Sequence, residues 1–256
     1  MSNMYGYCDY HGPISSTSLV DSKVEEAAPQ HNDEDDEDDH HNPLQAGFWM
    51  EGDSLAPPCG TSIASIHELL KFAQVHKTDV LYDFGCGDAR ICLEACASYH
   101  CRSLGVEVEA DLVERANFLI DQYWKTAKVR GDNNDVSTIA AIKERLPRIL
   151  HQDLRTTLHR LVERAKLQYV KGDDDDTDDS LPLPTIVVLY LLPEAIREIQ
   201  DDLLDLLRRL PDGFRIVCNT WGLQGVQPEQ KIEIQEESSA AITPIYLYTK
   251  RCLEHK

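Results

Sequence analysis

The chain has 256 residues and a formal net charge of −20, enough for one α/β domain with tails. Thirteen of its 45 acidic residues lie in two short blocks, at 33–39 and 173–179, so the rest of the chain is only mildly acidic. The lack of a broad basic surface disfavours a nucleic acid as partner, whereas a protein substrate of basic character is compatible with this charge.

Targeting signals are not recognisable in the sequence. No run approaches the ~18–20 apolar residues of a membrane span, and residues 1–20 lack the basic start and apolar core of a secretory signal. The eight cysteines include no Cys-x-x-Cys pair. We therefore predict reduced thiols, no metal site and a cytoplasmic or nuclear location, without support for mitochondrial import. The sequence leaves the oligomeric state open.

Composition divides the chain into a tail and a domain. Residues 1–45 are polar and have no apolar periodicity, which predicts a disordered acidic tail. We expect residues 46–256 to form one domain, interrupted by an acidic insertion at about 171–182.

Helices and strands alternate along this domain. Apolar residues at helical spacing predict six helices, at Ser62–Val75, Ala89–Tyr99, Asp111 to about Lys125, Val136–Leu146, Thr156–Val170 and Pro193–Leu210. Short apolar runs predict seven strands, at Val80–Phe84, Leu104–Val108, Arg148–His151, Thr185–Leu191, Phe214–Cys218, Lys231–Gln235 and Ile245–Tyr248. This alternation predicts an α/β, doubly wound, mostly parallel seven-stranded sheet of the Rossmann-like type. The last two strands have no helix between them and are able to pair antiparallel.

A glycine motif follows the first strand. Asp83-x-Gly85-x-Gly87 lies where an apolar strand turns into a helix. Glycines at such a turn let the backbone approach a ligand closely, beside the free N–H groups of the helix start. A dinucleotide-binding motif favours a third glycine where Arg90 stands, so the pattern disfavours a nucleotide-dependent oxidoreductase.

Two further carboxylates follow the next two strands. Glu107 ends the second strand, twenty residues after Gly87, where a carboxylate can accept hydrogen bonds from ribose hydroxyls. Asp153 follows the third strand. Because the carboxyl ends of parallel strands share one edge of the sheet, we expect Asp83, Glu107 and Asp153 to line one crevice at the switch point.

This set of residues resembles the class I S-adenosylmethionine-dependent methyltransferases over roughly residues 60–222. The resemblance implies the Rossmann-like methyltransferase fold with S-adenosyl-L-methionine as cofactor. It places Asp83, Gly85 and Gly87 in the first cofactor motif, Glu107 at the ribose and Asp153 at the adenine amine.

Three segments indicate a narrower group within these methyltransferases: DVLYDFGCGDAR at 79–90, GVE at 105–107 and LYLLPE at 189–194. They are similar to the small protein-lysine methyltransferases that modify the mitochondrial adenine nucleotide translocase and the ATP synthase c subunit, and to their bacterial relatives. In that group a Pro-Thr-Pro segment precedes the first helix and helps to cover the cofactor. Thr61 matches its threonine, whereas Ser62 replaces the following proline.

The methyl acceptor is expected beside Tyr190 and Leu191, at the end of the fourth strand. Methyltransferases of DNA bases and of glutamine usually have Asn or Asp, two prolines and an aromatic residue there, and this sequence differs. The resemblance therefore implies methyl transfer to a protein nitrogen, lysine foremost. A lysine must be neutral to accept the methyl group, although its free pKa is ~10.4. A small-molecule methyltransferase and a non-catalytic S-adenosylmethionine-binding partner protein are the alternatives.

Overall fold

The computed structural model describes residues 60–130, 136–171, 181–235 and 242–254. The predicted tail at 1–45 and most of the predicted acidic insertion lie outside these ranges. The helices of the described ranges are α1 Ile63–Phe72, α2 Arg90–Tyr99, α3 Ala110–Arg130, α4 Val136–Arg145, α5 Leu154–Lys171 and α6 Pro193–Arg209. The strands are β1 Val80–Phe84, β2 Arg102–Glu107, β3 Arg148–His151, β4 Ile186–Leu189, β5 Arg215–Asn219, β6 Gln230–Gln235 and β7 Ile242–Tyr248.

The seven strands form one sheet in the order β3-β2-β1-β4-β5-β7-β6. Strands β1 to β5 pair in parallel, and β7 lies antiparallel between β5 and β6. The prediction of a doubly wound, mostly parallel seven-stranded sheet is confirmed, as is the antiparallel pairing of the last two strands. The chain direction along the sheet reverses between β1 and β4, which is the switch point at which α/β sheets bind ligands.

Several predicted bounds differ from the observed ones for local reasons. Strand β2 begins at Arg102, two residues before the predicted start at Leu104. The polar Ser103 concealed this start in the sequence, because it is buried in the strand and its hydroxyl donates to the carbonyl of Cys92 at 3.0 Å. Val108 lies beyond the strand and is exposed. A 3-10 helix at Lys250–Leu253 was not predicted.

Apolar side chains fill both faces of the sheet. Alternate residues of β1 point to opposite faces, with Leu81 among the side chains that pack with α1 and α2, and Tyr82 among those that pack with α5 and α6. Helix α6 contributes the longest buried stripe, made of Ala195, Ile196, Ile199, Leu203, Leu204, Leu206 and Leu207. The central strand β4 is buried along its whole length, as expected for a strand covered on both faces.

A buried ion pair joins three parallel strands at their amino-terminal edge. Asp79 accepts hydrogen bonds from the Thr185 hydroxyl at 2.6 Å, the His76 amide at 2.7 Å and the Arg215 guanidinium at 2.8 Å. The Thr185 hydroxyl oxygen also accepts from the Val80 amide at 2.9 Å. The network therefore ties the starts of β1, β4 and β5 together, at the edge opposite to the switch-point crevice.

None of the helices in the described ranges is long and apolar enough to cross a membrane.

Replacing Asp79 by Ala is expected to lower the free energy of unfolding by about 2 kcal/mol, because it leaves the partly buried Arg215 guanidinium and the Thr185 hydroxyl without their acceptor. Urea unfolding followed by circular dichroism measures the change. Glu68→Ala, which removes only an exposed pair with Lys71, serves as control and should cost no more than about 0.5 kcal/mol. A cost below about 1 kcal/mol for Asp79→Ala would contradict a structural role for the network.

Candidate functional site

The turn between β1 and α2 opens the crevice. Gly85 and Gly87 have φ angles of 77° and 54°, a region that favours glycine. The amides of Gly85 and Cys86 both donate to the Val106 carbonyl, at 2.9 and 3.1 Å, which holds the turn against β2. A Cβ added at Gly87 would meet no atom of the described residues within 4 Å. The backbone of Gly87 therefore borders open space that a ligand can approach.

Glu107 links this turn to the one after β2. Its carboxylate accepts from the amides of Gly87 at 2.8 Å, Val108 at 2.8 Å and Glu109 at 3.0 Å. The structure therefore brings Gly87 and Glu107 together, although twenty residues separate them in the chain. Oxygen Oε2 accepts only one of these bonds, so it retains a lone pair for a donor on a ligand.

Asp83 is the most deeply buried acid of the crevice. Its side chain is 2% exposed, and its Oδ2 atom has no hydrogen-bond partner among the described residues. Burial raises the pKa of the Asp83 carboxyl to about 8, with further contributions from the negative charges of Glu107 and Asp88. A buried carboxyl without a partner is costly in its charged form, so this position favours a ligand that brings a positive charge.

Asp88 and Arg90 form an ion pair at the start of α2 that our sequence analysis missed. The guanidinium donates to both carboxylate oxygens, at 2.8 and 2.7 Å. Burial acts to raise the pKa of Asp88, but the bonds and charge of Arg90 lower it below its ordinary value. The spacing of two residues was a signal for this pair, but the sequence does not tell where the pair points.

Thr61 lies between this ion pair and the end of β5. Its carbonyl accepts from Arg90 Nη1 at 3.1 Å, and its hydroxyl accepts from Asn219 Nδ2 at 3.2 Å. Asn219 is 2% exposed and was not predicted as a site residue. The segment before α1 is therefore connected to both sides of the switch point.

Asp153 begins α5 at the same edge of the sheet. It accepts from the Arg155 amide at 2.8 Å and pairs with the Arg155 guanidinium, which also reaches Glu198 at 3.0 Å. Hydrogen bonds from Arg155 lower the pKa of the Asp153 carboxyl. The Gln152 amide donates to the Glu107 carbonyl at 2.9 Å, so Asp153 follows directly on a residue that contacts the crevice.

The two predicted acceptor-side residues lie in different surroundings. Tyr190 is half-buried and stacks on Trp221, with ring centroids 6.1 Å apart and an angle of 19° between the planes. The Leu191 side chain is fully buried in the core that packs with α5 and α6, so it is not available to a ligand. The aromatic pair thus stands at the carboxyl ends of β4 and β5, beside Asn219.

A cavity of about 450 Å³ lies elsewhere, at the amino-terminal edge of β5 near Arg215, Glu229 and Lys250. It lies at the sheet edge opposite to Asp83 and Glu107, and its charged residues of both signs largely pair with one another. We assign the functional site to the switch-point crevice, where the carboxyl groups of Asp83 and Glu107 converge with the open glycine turn. In the described ranges, no group of three or more His, Cys, Asp or Glu residues is placed to hold a metal ion.

One curated relative and several solved structures are similar to the chain. No protein-family model matches the chain. A protein-lysine N-methyltransferase of Saccharolobus islandicus (strain REY15A) is 23% identical over 184 residues, which cover 72% of this chain and 86% of that protein.

Similar solved structures include an RNA methyltransferase from Salinibacter ruber in complex with S-adenosyl-L-homocysteine. It is 24% identical, with a TM-score of 0.48, over 75% of this chain and 93% of that one. The C-terminal domain of a precorrin-6Y C5,15-methyltransferase from Rhodobacter capsulatus is 17% identical, with a TM-score of 0.48, over 76% and 92% of the two chains.

The raised pKa of Asp83 predicts how stability depends on pH. Between the unfolded pKa of ~3.9 and the folded pKa of about 8, only the folded chain holds this proton. Raising the pH through this window therefore favours unfolding, by up to about 1.4 kcal/mol per pH unit from this group. Asp83→Asn removes the titration, so its stability relative to the wild type should increase steadily from pH 5 to pH 8.

Urea unfolding at intervals of one pH unit measures this difference. Asp212→Asn, at a carboxylate whose side chain is 91% exposed, controls for the loss of an acid as such. If the curves of Asp83→Asn and wild type run parallel from pH 5 to pH 8, the Asp83 carboxyl is not held protonated in the folded chain.

Proposed function

We propose that this protein is an S-adenosyl-L-methionine-dependent methyltransferase that methylates a protein side-chain nitrogen, with lysine as the favoured acceptor. The observation that carries the proposal is the convergence of Asp83, Glu107 and the Gly85–Gly87 turn on one crevice. Asp83 is a buried acid whose Oδ2 has no hydrogen-bond partner among the described residues, and Glu107 is an acceptor beside an open glycine turn.

The charge of the crevice matches this cofactor. S-adenosylmethionine carries a sulfonium and an ammonium group, and either cation offsets the cost of ionising a buried carboxyl. Its ribose offers two hydroxyl donors, which suit the free lone pair of Glu107 Oε2. A dinucleotide brings a pyrophosphate instead, which offers no positive charge to the buried Asp83 carboxyl. Asp153 is proposed to face the adenine amine and Thr61 to lie beside the cofactor.

The reaction requires little proton transfer within the enzyme. The acceptor nitrogen attacks the methyl carbon, the bond from that carbon to sulfur breaks, and sulfur keeps the electron pair. Catalysis then depends on in-line placement of the acceptor and on exclusion of water. Only a neutral amine can accept the methyl group, so a lysine acceptor first loses its proton to solvent.

The proposed acceptor site is the aromatic pair of Tyr190 and Trp221. Stacked rings at the carboxyl ends of β4 and β5 provide a flat apolar surface against which the alkyl chain of a lysine can pack. Before the lysine loses its proton, its ammonium group can also form a cation–π interaction with these rings. The backbone carbonyl of Tyr190 is the group proposed to orient the amine, since Leu191, which the sequence also suggested, is fully buried. The relative from Saccharolobus islandicus, named as a protein-lysine N-methyltransferase, supports the same acceptor.

Calorimetric titration tests the cofactor assignment. We expect the wild type to bind S-adenosylmethionine at pH 7 and to release close to one proton as Asp83 ionises, which a comparison of phosphate and Tris buffers detects. Asp83→Asn should bind about tenfold or more weakly, because a charge-assisted hydrogen bond is lost, and should release no proton. Asp212→Asn should resemble the wild type, and NAD should not bind. Equal binding by wild type and Asp83→Asn would refute the cofactor role of Asp83.

Radiolabelled S-adenosylmethionine tests the acceptor class. We expect label from the methyl group to enter proteins of a cell extract, on lysine, rather than the RNA or small-molecule fractions. Trp221→Ala should raise the KM for the protein acceptor about tenfold through loss of the aromatic wall, while Trp221→Phe should restore most of it. Label confined to small molecules would identify a small-molecule methyltransferase, and no label despite cofactor binding would identify a non-catalytic partner protein.

A further inference from the structure

Three residues before α1 cross the crevice, and we name Gly60–Ser62 the strap. Its two anchors come from different parts of the sheet. Arg90 belongs to the first turn of α2, directly after β1, and Asn219 is the last residue of β5. In the strand order, β4 lies between β1 and β5. The strap therefore links the carboxyl ends of β1 and β5, the two strands that flank β4 in the sheet.

The Arg90 side of the strap is fixed by geometry as well as by a hydrogen bond. A Cβ added at Gly60 would lie 2.6 Å from Arg90 Cζ, so the glycine backbone rests against the guanidinium group. Asp88 holds two nitrogens of that guanidinium, and a third nitrogen donates to the Thr61 carbonyl at 3.1 Å. A planar guanidinium can serve both partners at once, which a lysine ammonium does not reproduce.

The Asn219 side uses the Thr61 hydroxyl. Asn219 is almost fully buried, and its amide nitrogen donates to that hydroxyl at 3.2 Å. Its amide oxygen accepts from the Thr220 hydroxyl at 3.3 Å. Trp221, which stacks on Tyr190, donates its backbone amide to the Asn219 carbonyl at 2.8 Å. The residue that holds the strap therefore also holds the aromatic wall.

We infer that Arg90 and Asn219 are positioning residues that hold Thr61 across the crevice and thereby couple the cofactor side of the site to its acceptor side. The inference rests on the proposed function for what the crevice binds. Neither residue needs to contact the cofactor for this role. Each anchor contributes its own hydrogen bond, so losing either one weakens the hold on the strap, and a bound cofactor escapes faster while the sheet beneath it is unchanged.

The test measures the dissociation rate constant of S-adenosylmethionine and of S-adenosyl-L-homocysteine by stopped flow. Thr61→Val removes the bond to Asn219 and should raise both rate constants about fivefold, and Thr61→Ser, which keeps a hydroxyl, should restore slow dissociation. Arg90→Lys and Gly60→Ala disturb the other anchor and should each have a similar effect. Thr126→Val makes the same chemical change on α3, where the hydroxyl donates to the Gln122 carbonyl of its own helix, and serves as control.

Combinations of variants separate the two anchors. Asn219→Ala and Thr61→Val break the same bond, so the double variant should dissociate cofactor no faster than the single ones. Arg90→Lys and Thr61→Val break different bonds, so their effects should multiply to about twenty-five-fold. Strict multiplication in the first pair would overturn the assigned contact.

Deuterium uptake by the unliganded protein provides a readout that does not need a cofactor. Peptides that contain residues 60–66 should exchange faster in Thr61→Val and Arg90→Lys than in the wild type, and Thr126→Val should leave them unchanged. If the wild type binds no S-adenosylmethionine, the proposed function fails while this measurement still tests the strap. If the wild type binds and the variants match it in both dissociation and uptake, the strap inference fails and the proposed function stands.

Discussion

The crevice depends on one carboxylate that joins two turns. Glu107 binds the backbone amide of Gly87 after β1 and the amides that follow β2. Amides at the carboxyl ends of parallel strands and at helix starts are left without partners by regular secondary structure. A buried acid satisfies them, and in return they stabilise its charge. The Gly85–Gly87 turn is thus held open, so the space beside Gly87 exists before any ligand arrives.

Satisfying Glu107 in this way leaves its neighbour unsatisfied. The negative charges of Glu107 and Asp88 act on Asp83, which is buried and has one oxygen without a hydrogen-bond partner among the described residues. Asp88 escapes the same penalty because Arg90 pairs with it. Of the three acids, Asp83 is therefore the one whose ionisation is unfavourable in the free protein, and a cationic ligand would make it favourable. Burying the Asp83 carboxyl in this way destabilises the folded chain, and binding of a cationic ligand would offset that destabilisation.

Arg90 connects that electrostatic arrangement to the rest of the site. A third glycine at this position is typical of dinucleotide-binding proteins. The Arg90 side chain instead donates a hydrogen bond to the Thr61 carbonyl in the strap. Through Thr61 the cofactor turn is linked to Asn219 at the end of β5, and from there to the stacked rings of Tyr190 and Trp221. These hydrogen bonds join loops that emerge on both sides of the switch point.

The sequence by itself determined the α/β class, the order of helices and strands, and the glycine turn with its acid and Glu107, because periodicity and motif spacing are local properties of the chain. It concealed the start of β2, where the buried Ser103 looks polar, and the burial of Leu191. Only the tertiary structure decided that β7 inserts between β5 and β6, that no described residue hydrogen-bonds Asp83 Oδ2, and that Arg90 and Asn219 meet at Thr61. These contacts join residues up to 158 positions apart, and burial and pairing at such separations arise from packing of the whole sheet rather than from neighbouring residues.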